Sequence, residues 1–287
     1  MATHPFTIHT GLGTISGLSA DGGDSDRPLL VCLPGGSYNA HYFDVPGYSL
    51  LEVASQKGFP IVALDRPGYG GSDALVGEVS FKRNAEVLTA AIAELWKEYA
   101  GRATGVVLIG HSMGGAIALH IAANERSWPL LGVSVSSIHT DAPEPVTQAW
   151  NSFPADAIIE FSTEQRLQFM YGPEGTFDPA VLQAAEVSCD PIPVAELLEV
   201  VGGWITDFPA IAARVDVPVH YALAEHEQLW ISTDDNVREF ADAFTLSPAV
   251  KAERVAGVGH NIDHHHGASD FHARQLDFAT DPAAAGR

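Results

Sequence analysis

The sequence predicts an α/β fold, a doubly wound and mostly parallel eight-stranded sheet carrying a helical insertion after its sixth strand, and three observations predict it. Short runs of consecutive aliphatic residues recur along the chain, the composition of strands buried on both faces of a parallel sheet. Between them lie stretches with apolar residues at helical spacing, so right-handed strand-helix-strand crossovers join the strands. After Thr140 the rhythm breaks for about seventy residues, too long for a simple connection in a compact domain.

Taken in order, residues from Phe6 to about Leu18 alternate loosely around Gly11, Gly13 and Gly17, which reads as an opening hairpin at the sheet edge. A solvated turn, Asp21 to Asp26, follows. Leu29-Leu30-Val31-Cys32-Leu33 is a continuous apolar strand that ends in Pro34-Gly35-Gly36-Ser37. A helix from about Leu50 to Lys57 leads to the strand Ile61-Val62-Ala63-Leu64. The loop after it, Asp65-Arg66-Pro67-Gly68-Tyr69-Gly70-Gly71-Ser72, is a turn fixed by its glycines and proline, with Asp65 and Arg66 available for local pairing. Phe81, Leu88, Ile92, Leu95 and Tyr99 then recur at helical spacing.

Val106-Val107-Leu108-Ile109 is the next strand, and Gly110-His111-Ser112-Met113-Gly114 breaks it into an Ala-rich helix. So tight a turn leaves no room for side chains at Gly110 and Gly114 and forces Ser112 toward a strained conformation. It lifts the serine hydroxyl clear of the backbone and points the Met113 amide, at the positive end of the new helix, toward whatever the serine attacks. His111 points away from its neighbour and reads as a packing or pocket residue. In its G-x-S-x-G spacing and strand-turn-helix context this segment resembles the nucleophile elbow of the α/β-hydrolase family.

The resemblance extends over the whole chain except the insertion. Asp65 to Ser72 is similar to the family's D-x-P-G-x-G-x-S loop. In the family the loop after the strand matching Leu29 to Leu33 supplies an oxyanion-hole amide, usually after a His-Gly pair; here Pro34 stands for the histidine, the position maps to Gly36, and Ser37 is the alternative donor. A strand at Val133 to Ile138 precedes the insertion. The resemblance implies a core domain of residues 1–140 and 211–287 and a helical cap of residues 141–210 over the site, with no strand of its own. Trp150, Phe153, Phe161, Phe169, Met170, Tyr171, Phe177, Trp204 and Phe208 mostly hold the cap together, and some, Trp150 and Phe153 among them, face a substrate.

Past the strand Val219 to Leu223, the family carries a Gly-x-x-Asp whose aspartate is the triad acid. On that spacing Ala224 takes the glycine position and Glu227 the acid position, with Glu225 and Asp141 as alternatives. A helix near Asn236 to Phe244 and a strand near Lys251 to Val255 precede Gly257-Val258-Gly259-His260-Asn261, where His260 matches the family's catalytic histidine. The implied catalytic set is Ser112, His260 and Glu227, the oxyanion hole Gly36 and Met113, and the substrate contacts Ser37, His111, Trp150 and Phe153. Asp263-His264-His265-His266 could suggest a metal, but consecutive side chains diverge and no second ligand cluster is evident, so no metal and no cofactor is expected. A final helix, Phe271 to Phe278, and a frayed tail from Asp281 to Arg287 complete the chain.

What the family implies is an esterase or lactonase acting on a hydrophobic small molecule through an acyl-enzyme. Carbon-carbon bond hydrolysis, a lyase reaction, acyl transfer to an alcohol or amine, and a non-catalytic receptor are the competing readings. The net charge of −21, from 36 acidic and 15 basic residues, repels nucleic acid and anionic membranes, so neither is an expected partner. A homodimer is compatible with the sequence. Cys32 in a strand and Cys189 in a loop do not form a disulfide framework, and Met1 to Phe6 lacks the basic patch and apolar run of a signal peptide, so a cytoplasmic protein is expected.

Overall fold

The computed structural model describes residues 3–23 and 26–281. Asp24 and Ser25 of the expected turn, the first two residues, and all of the expected tail beyond Asp281 lie outside the described residues. Strands β1 (His4–Thr10) and β2 (Gly13–Ala20) form the opening hairpin. Then come β3 (Leu29–Leu33), α1 (Leu50–Gln56), β4 (Ile61–Leu64), α2 (Phe81–Tyr99), β5 (Val106–His111), α3 (Met113–Ala122) and β6 (Leu130–Ser136). The inserted segment holds α4 (Glu144–Asn151), β7 (Ile158–Ile159), α5 (Thr163–Met170), α6 (Ala180–Ala184), β8 (Ile192–Pro193), α7 (Val194–Val200) and α8 (Gly203–Ala212). The chain resumes with β9 (Val219–Ala224), α9 (Asp234–Asp242), β10 (Val250–Val255) and α10 (Ala268–Thr280).

Eight strands form one sheet in the order β1-β2-β4-β3-β5-β6-β9-β10. The hairpin pairs antiparallel to itself and to β4, and every other pairing is parallel. All residues of β3, β4, β5 and β9 are buried, as suits the apolar runs of β3, β4 and the first four residues of β5; β9 is buried although it carries His220 and Tyr221. Each fully buried Leu or Ile contributes about 1.5–3 kcal/mol, so the sheet's centre is where the fold is most strongly held. Alternation along β9 shows the double winding: Tyr221 stacks on Phe240 of α9, while His220 faces Phe271 and Phe278 of α10 on the opposite side.

The insertion departs from expectation in one respect. It was expected to hold no strand, yet Ile158 and Ile159 pair antiparallel with Pro193 and Ile192, and Tyr38 bridges to Cys189. Strands of two residues are too short to leave a period in the sequence. At its far end α8 leans on the sheet's own helices: Trp204 Nε1 donates to the His139 carbonyl at 2.8 Å, and Phe208 stacks on Phe240 at 4.2 Å between ring centres. Cys32 is buried and Cys189 half-buried, both free thiols. Among the described residues no helix is long and apolar enough to cross a membrane.

Candidate active site

The strand-to-helix turn has the geometry its glycines anticipated. A Cβ on Gly110 would stand 2.6 Å from the Gly114 carbonyl oxygen, and one on Gly114 would stand 2.1 Å from that of Leu33. Only bare backbone fits. Ser112 sits between them at φ 52°, ψ −125°, a conformation that costs about 1–3 kcal/mol and persists because its N–H donates to Ser136 at 2.8 Å and α3 begins immediately after. As the first residue of α3, Met113 has an N–H that no intrahelical carbonyl takes, and the helix adds its positive end.

Facing this turn is the loop after β3. A Cβ on Gly36 would meet Met113 Sδ at 2.6 Å and Ile192 Cδ1 at 2.7 Å, so Gly36 packs directly on the start of α3. The loop is tied to the insertion by backbone bonds from Asp190 to Ser37 and from Asn39 to Ser188, each 2.9 Å. Ser37, at φ 61°, buries its hydroxyl without a partner and does not line the cavity described below.

His260 follows β10 and enters from the far side of β5. Its Nδ1 lies 2.9 and 3.1 Å from the two carboxylate oxygens of Glu227, whose side chain is completely covered. A ring nitrogen facing a carboxylate carries the proton, which leaves Nε2 as the acceptor. The loop is fixed through the His260 carbonyl, which accepts from Ser137 Oγ at 2.6 Å and from His111 Nε2 at 3.2 Å. His111 stacks on Tyr42 at 4.4 Å, and burial pushes its pKa down to about 3, so it stays neutral and supports the His260 loop.

The alternative carboxylates are elsewhere. Exposed Asp141 accepts from Asn236 Nδ2 at 3.2 Å, and Glu225 accepts from the Gly257 N–H at 2.8 Å, a bond that lowers its pKa. The histidine tract is tied into the fold: His272 Nε2 and Tyr42 Oη each bond Asp263 at 3.0 Å, His264 Nε2 donates to the Tyr42 carbonyl, and His265 Nε2 accepts the Gly172 and Gly259 amides. Both ring nitrogens of His264 and of His265 thus face protein groups, with Tyr171 Oη 3.5 Å from His264 Nδ1 and the Asn261 carbonyl 2.8 Å from His265 Nδ1.

Gly36, His111, Ser112, Met113 and His260 line one cavity with Tyr38. Its other walls are apolar: Val146, Trp150, Phe161, Met170, Ile192, Leu197, Val200 and Val201 from the insertion, and Leu229 and Trp230 from the loop carrying Glu227. Together these walls enclose a slot with an empty volume of about 500 Å³. Phe153 stands outside it, stacked behind Trp150 with ring centres 6.4 Å apart. Chemically, Ser112 and the carboxylate-oriented imidazole of His260 share the slot with Gly36 and Met113, and hydrocarbon forms most of the remaining wall.

The family model described as "Alpha/beta hydrolase family" matches residues 30–274. The chain belongs to the alpha/beta hydrolase family. Among relatives of this alpha/beta hydrolase, protein phosphatase methylesterase 1 of Mus musculus is 34% identical over 119 residues, covering 40% of this chain. That match spans 28% of the relative's own length. Among solved structures, DcsB in complex with its substrate analogue superposes with a TM-score of 0.69 at 17% identity, covering 99% of this chain and 100% of the other. The N-acyl homoserine lactonase AidH superposes at 0.66 with 17% identity, covering 98% of each chain.

Within this alpha/beta hydrolase several cavity residues carried no sequence signal of their own. Tyr38, Ile192, Leu229 and Trp230 are ordinary apolar residues until the chain closes around them. Arg66 reaches beyond the local pairing the loop suggests: besides lying over the Tyr69 ring at 4.2 Å, it pairs with Glu196, 130 positions away on α7. Nothing in a single sequence connects two such positions.

Proposed function

We propose that this alpha/beta hydrolase is a serine hydrolase that cleaves the carboxylic ester or lactone of an uncharged, hydrophobic small molecule through an acyl-enzyme on Ser112. The observation that carries it is His260, locked by the Glu227 carboxylate at 2.9 Å and sharing one apolar slot with Ser112. His260 Nε2 takes the hydroxyl proton as Ser112 Oγ attacks the carbonyl carbon, and Glu227 stabilises the imidazolium. The N–H groups of Gly36 and Met113 receive the oxyanion. Collapse expels the alkoxide, which takes the proton from His260, and water then attacks the acyl-enzyme with His260 again as base.

Residues 141–210 act as the cap in this reading, supplying most of the apolar wall. Among the described residues the only ionisable side chains lining the slot are the two imidazoles and the Tyr38 phenol, which favours a neutral substrate whose hydrocarbon part fills it. The methylesterase and lactonase named among the similar proteins are both ester-bond enzymes by name, which supports the class and leaves the substrate open. The test is a chain-length series of p-nitrophenyl esters beside lactones in stopped flow. A nitrophenol burst stoichiometric with enzyme, followed by turnover that rises with acyl length, is expected. No turnover of any ester or lactone, with Ser112 unreactive, would overturn the reading in favour of carbon-carbon bond chemistry or a non-catalytic receptor.

A further inference from the structure

Arg66 is fully buried, and its guanidinium is committed on three sides. Nη1 and Nη2 bond the two carboxylate oxygens of Glu196 at 3.0 Å each, Nη2 also donates to the Gly35 carbonyl at 3.2 Å, and the plane lies over the Tyr69 ring at 4.2 Å. Tyr69 Oη completes the Glu196 carboxylate at 2.8 Å. The carbonyl of Gly35 and the N–H of Gly36 belong to one peptide unit. Because that unit is planar and trans, the two groups point in opposite directions, and holding one end aims the other.

That peptide needs holding. Both flanking residues are glycine in a crowded place: a Cβ on Gly35 would lie 2.8 Å from His111 Nδ1, and one on Gly36 would lie 2.6 Å from Met113 Sδ. A peptide between two glycines is the easiest in any chain to rotate, and rotation would turn the N–H away from the slot. We propose that Arg66 is a positioning residue: its bond to the Gly35 carbonyl aims the Gly36 N–H into the cavity, and Glu196 fixes Arg66 for that purpose from the inserted helix α7. The charge-assisted bond also polarises the peptide, making its N–H a stronger donor. Leu197 and Val200, on the same helix as Glu196, line the slot, so one helix both shapes the apolar wall and sets the donor.

The inference rests on the oxyanion role given to Gly36 above, and its test separates the two. The triple variant Arg66→Met, Tyr69→Phe, Glu196→Met removes the pair without stranding a buried charge or hydroxyl, an exchange that stability commonly tolerates. Against wild type, kcat on an activated ester should fall about 10- to 100-fold, less than outright loss of an oxyanion donor. KM should stay within about twofold, because ground-state binding is untouched. Affinity for a hydrophobic trifluoromethyl ketone, whose adduct carries the oxyanion, should fall by the same factor as kcat. Arg66→Lys, which keeps the charge for Glu196 without the planar fork, should show the same split more weakly and carries the test if the triple variant does not fold. Unchanged kcat and ketone affinity in the folded variant, or a loss confined to KM, would overturn the proposal and leave Arg66 a purely structural ion pair. A wild-type enzyme that neither hydrolyses the ester nor binds the ketone would instead refute the parent reading, and this proposal with it.

Discussion

At the sheet's C-terminal edge the polar groups facing the cavity are held by hydrogen bonds, whereas the insertion faces it with apolar side chains held mainly by packing. The His260 ring is fixed by Glu227 and its carbonyl by Ser137 and His111; Ser112 is fixed by a strained turn that only Gly110 and Gly114 permit. Trp150 and Phe161 of the wall pack edge to face with ring centres 5.9 Å apart, and Phe169 backs both at 5.9 and 6.5 Å. The difference follows from what each half must supply. Proton transfer and oxyanion binding need atoms placed to a few tenths of an ångström. Hydrocarbon burial needs area, and many side chains deliver it.

That contrast can be broken most sharply at Ser112. Ser112→Ala should fold as wild type and lose roughly four or more orders of magnitude in kcat, measured on one activated ester. A loss under tenfold would mean the strained turn serves something other than the reaction. The next largest effect belongs to the buried carboxylate. Glu227→Gln lets His260 take the wrong tautomer and should cost on the order of 10⁴ in kcat with KM little changed. Asp141→Asn and Glu225→Gln, assayed beside it, should each cost less than about threefold, since their carboxylates bond the Asn236 side chain and the Gly257 amide. A larger loss at Asp141 would move the acid to the loop after β6.

On the apolar side effects should be smaller and spread over many residues. Each methylene added to the substrate should raise kcat/KM about fourfold, from about 0.8 kcal/mol of burial, until the slot is full. Trp150→Ala should raise KM by about tenfold and leave kcat within about threefold; a kcat loss larger than the KM change would show that the wall positions the reacting groups too. The smallest effect concerns pH. Burial pushes His111 to about 3 and His120, His139 and His265 to about 4, below their value of about 6.5 in an unfolded chain. On acidification the unfolded chain takes these protons first, so stability present above about pH 6.5 is lost toward pH 4. Glu199, raised to about 7 by burial, acts in the opposite sense but alone. Tm should therefore drop by on the order of 5 °C between pH 7 and 5 at constant ionic strength; a flat or rising Tm would contradict neutral burial of these histidines.

The edge was far more legible in the sequence than the insertion, for the same physical reason. Strands buried on both faces write unbroken aliphatic runs, and a turn with no space for side chains writes Gly110 and Gly114, so β3, β5, α3 and the position of Ser112 could be read directly. Glu227 and His260 came from the family resemblance, by matching its acid and histidine positions to the loops after two strands. The slot's walls left no such trace: Phe153 looked as good a lining residue as Trp150 and turned its ring away, Ser37 buried its hydroxyl outside the slot, and Ile192 entered through a two-residue strand with no period. Arg66 and Glu196 show the limit most plainly. Arg66 reads only as available for local pairing and Glu196 carries no local signal, and only closure of the chain makes them one buried pair.

The central claim is that Ser112, activated by His260, reacts as a nucleophile inside the apolar slot. Reaction with a hydrophobic fluorophosphonate, followed by peptide mass mapping, tests it most directly. The account predicts one adduct per chain, on Ser112, absent in Ser112→Ala and formed orders of magnitude more slowly in His260→Gln. An adduct on another residue, or a Ser112 that stays unmodified in the folded wild-type protein, would contradict it.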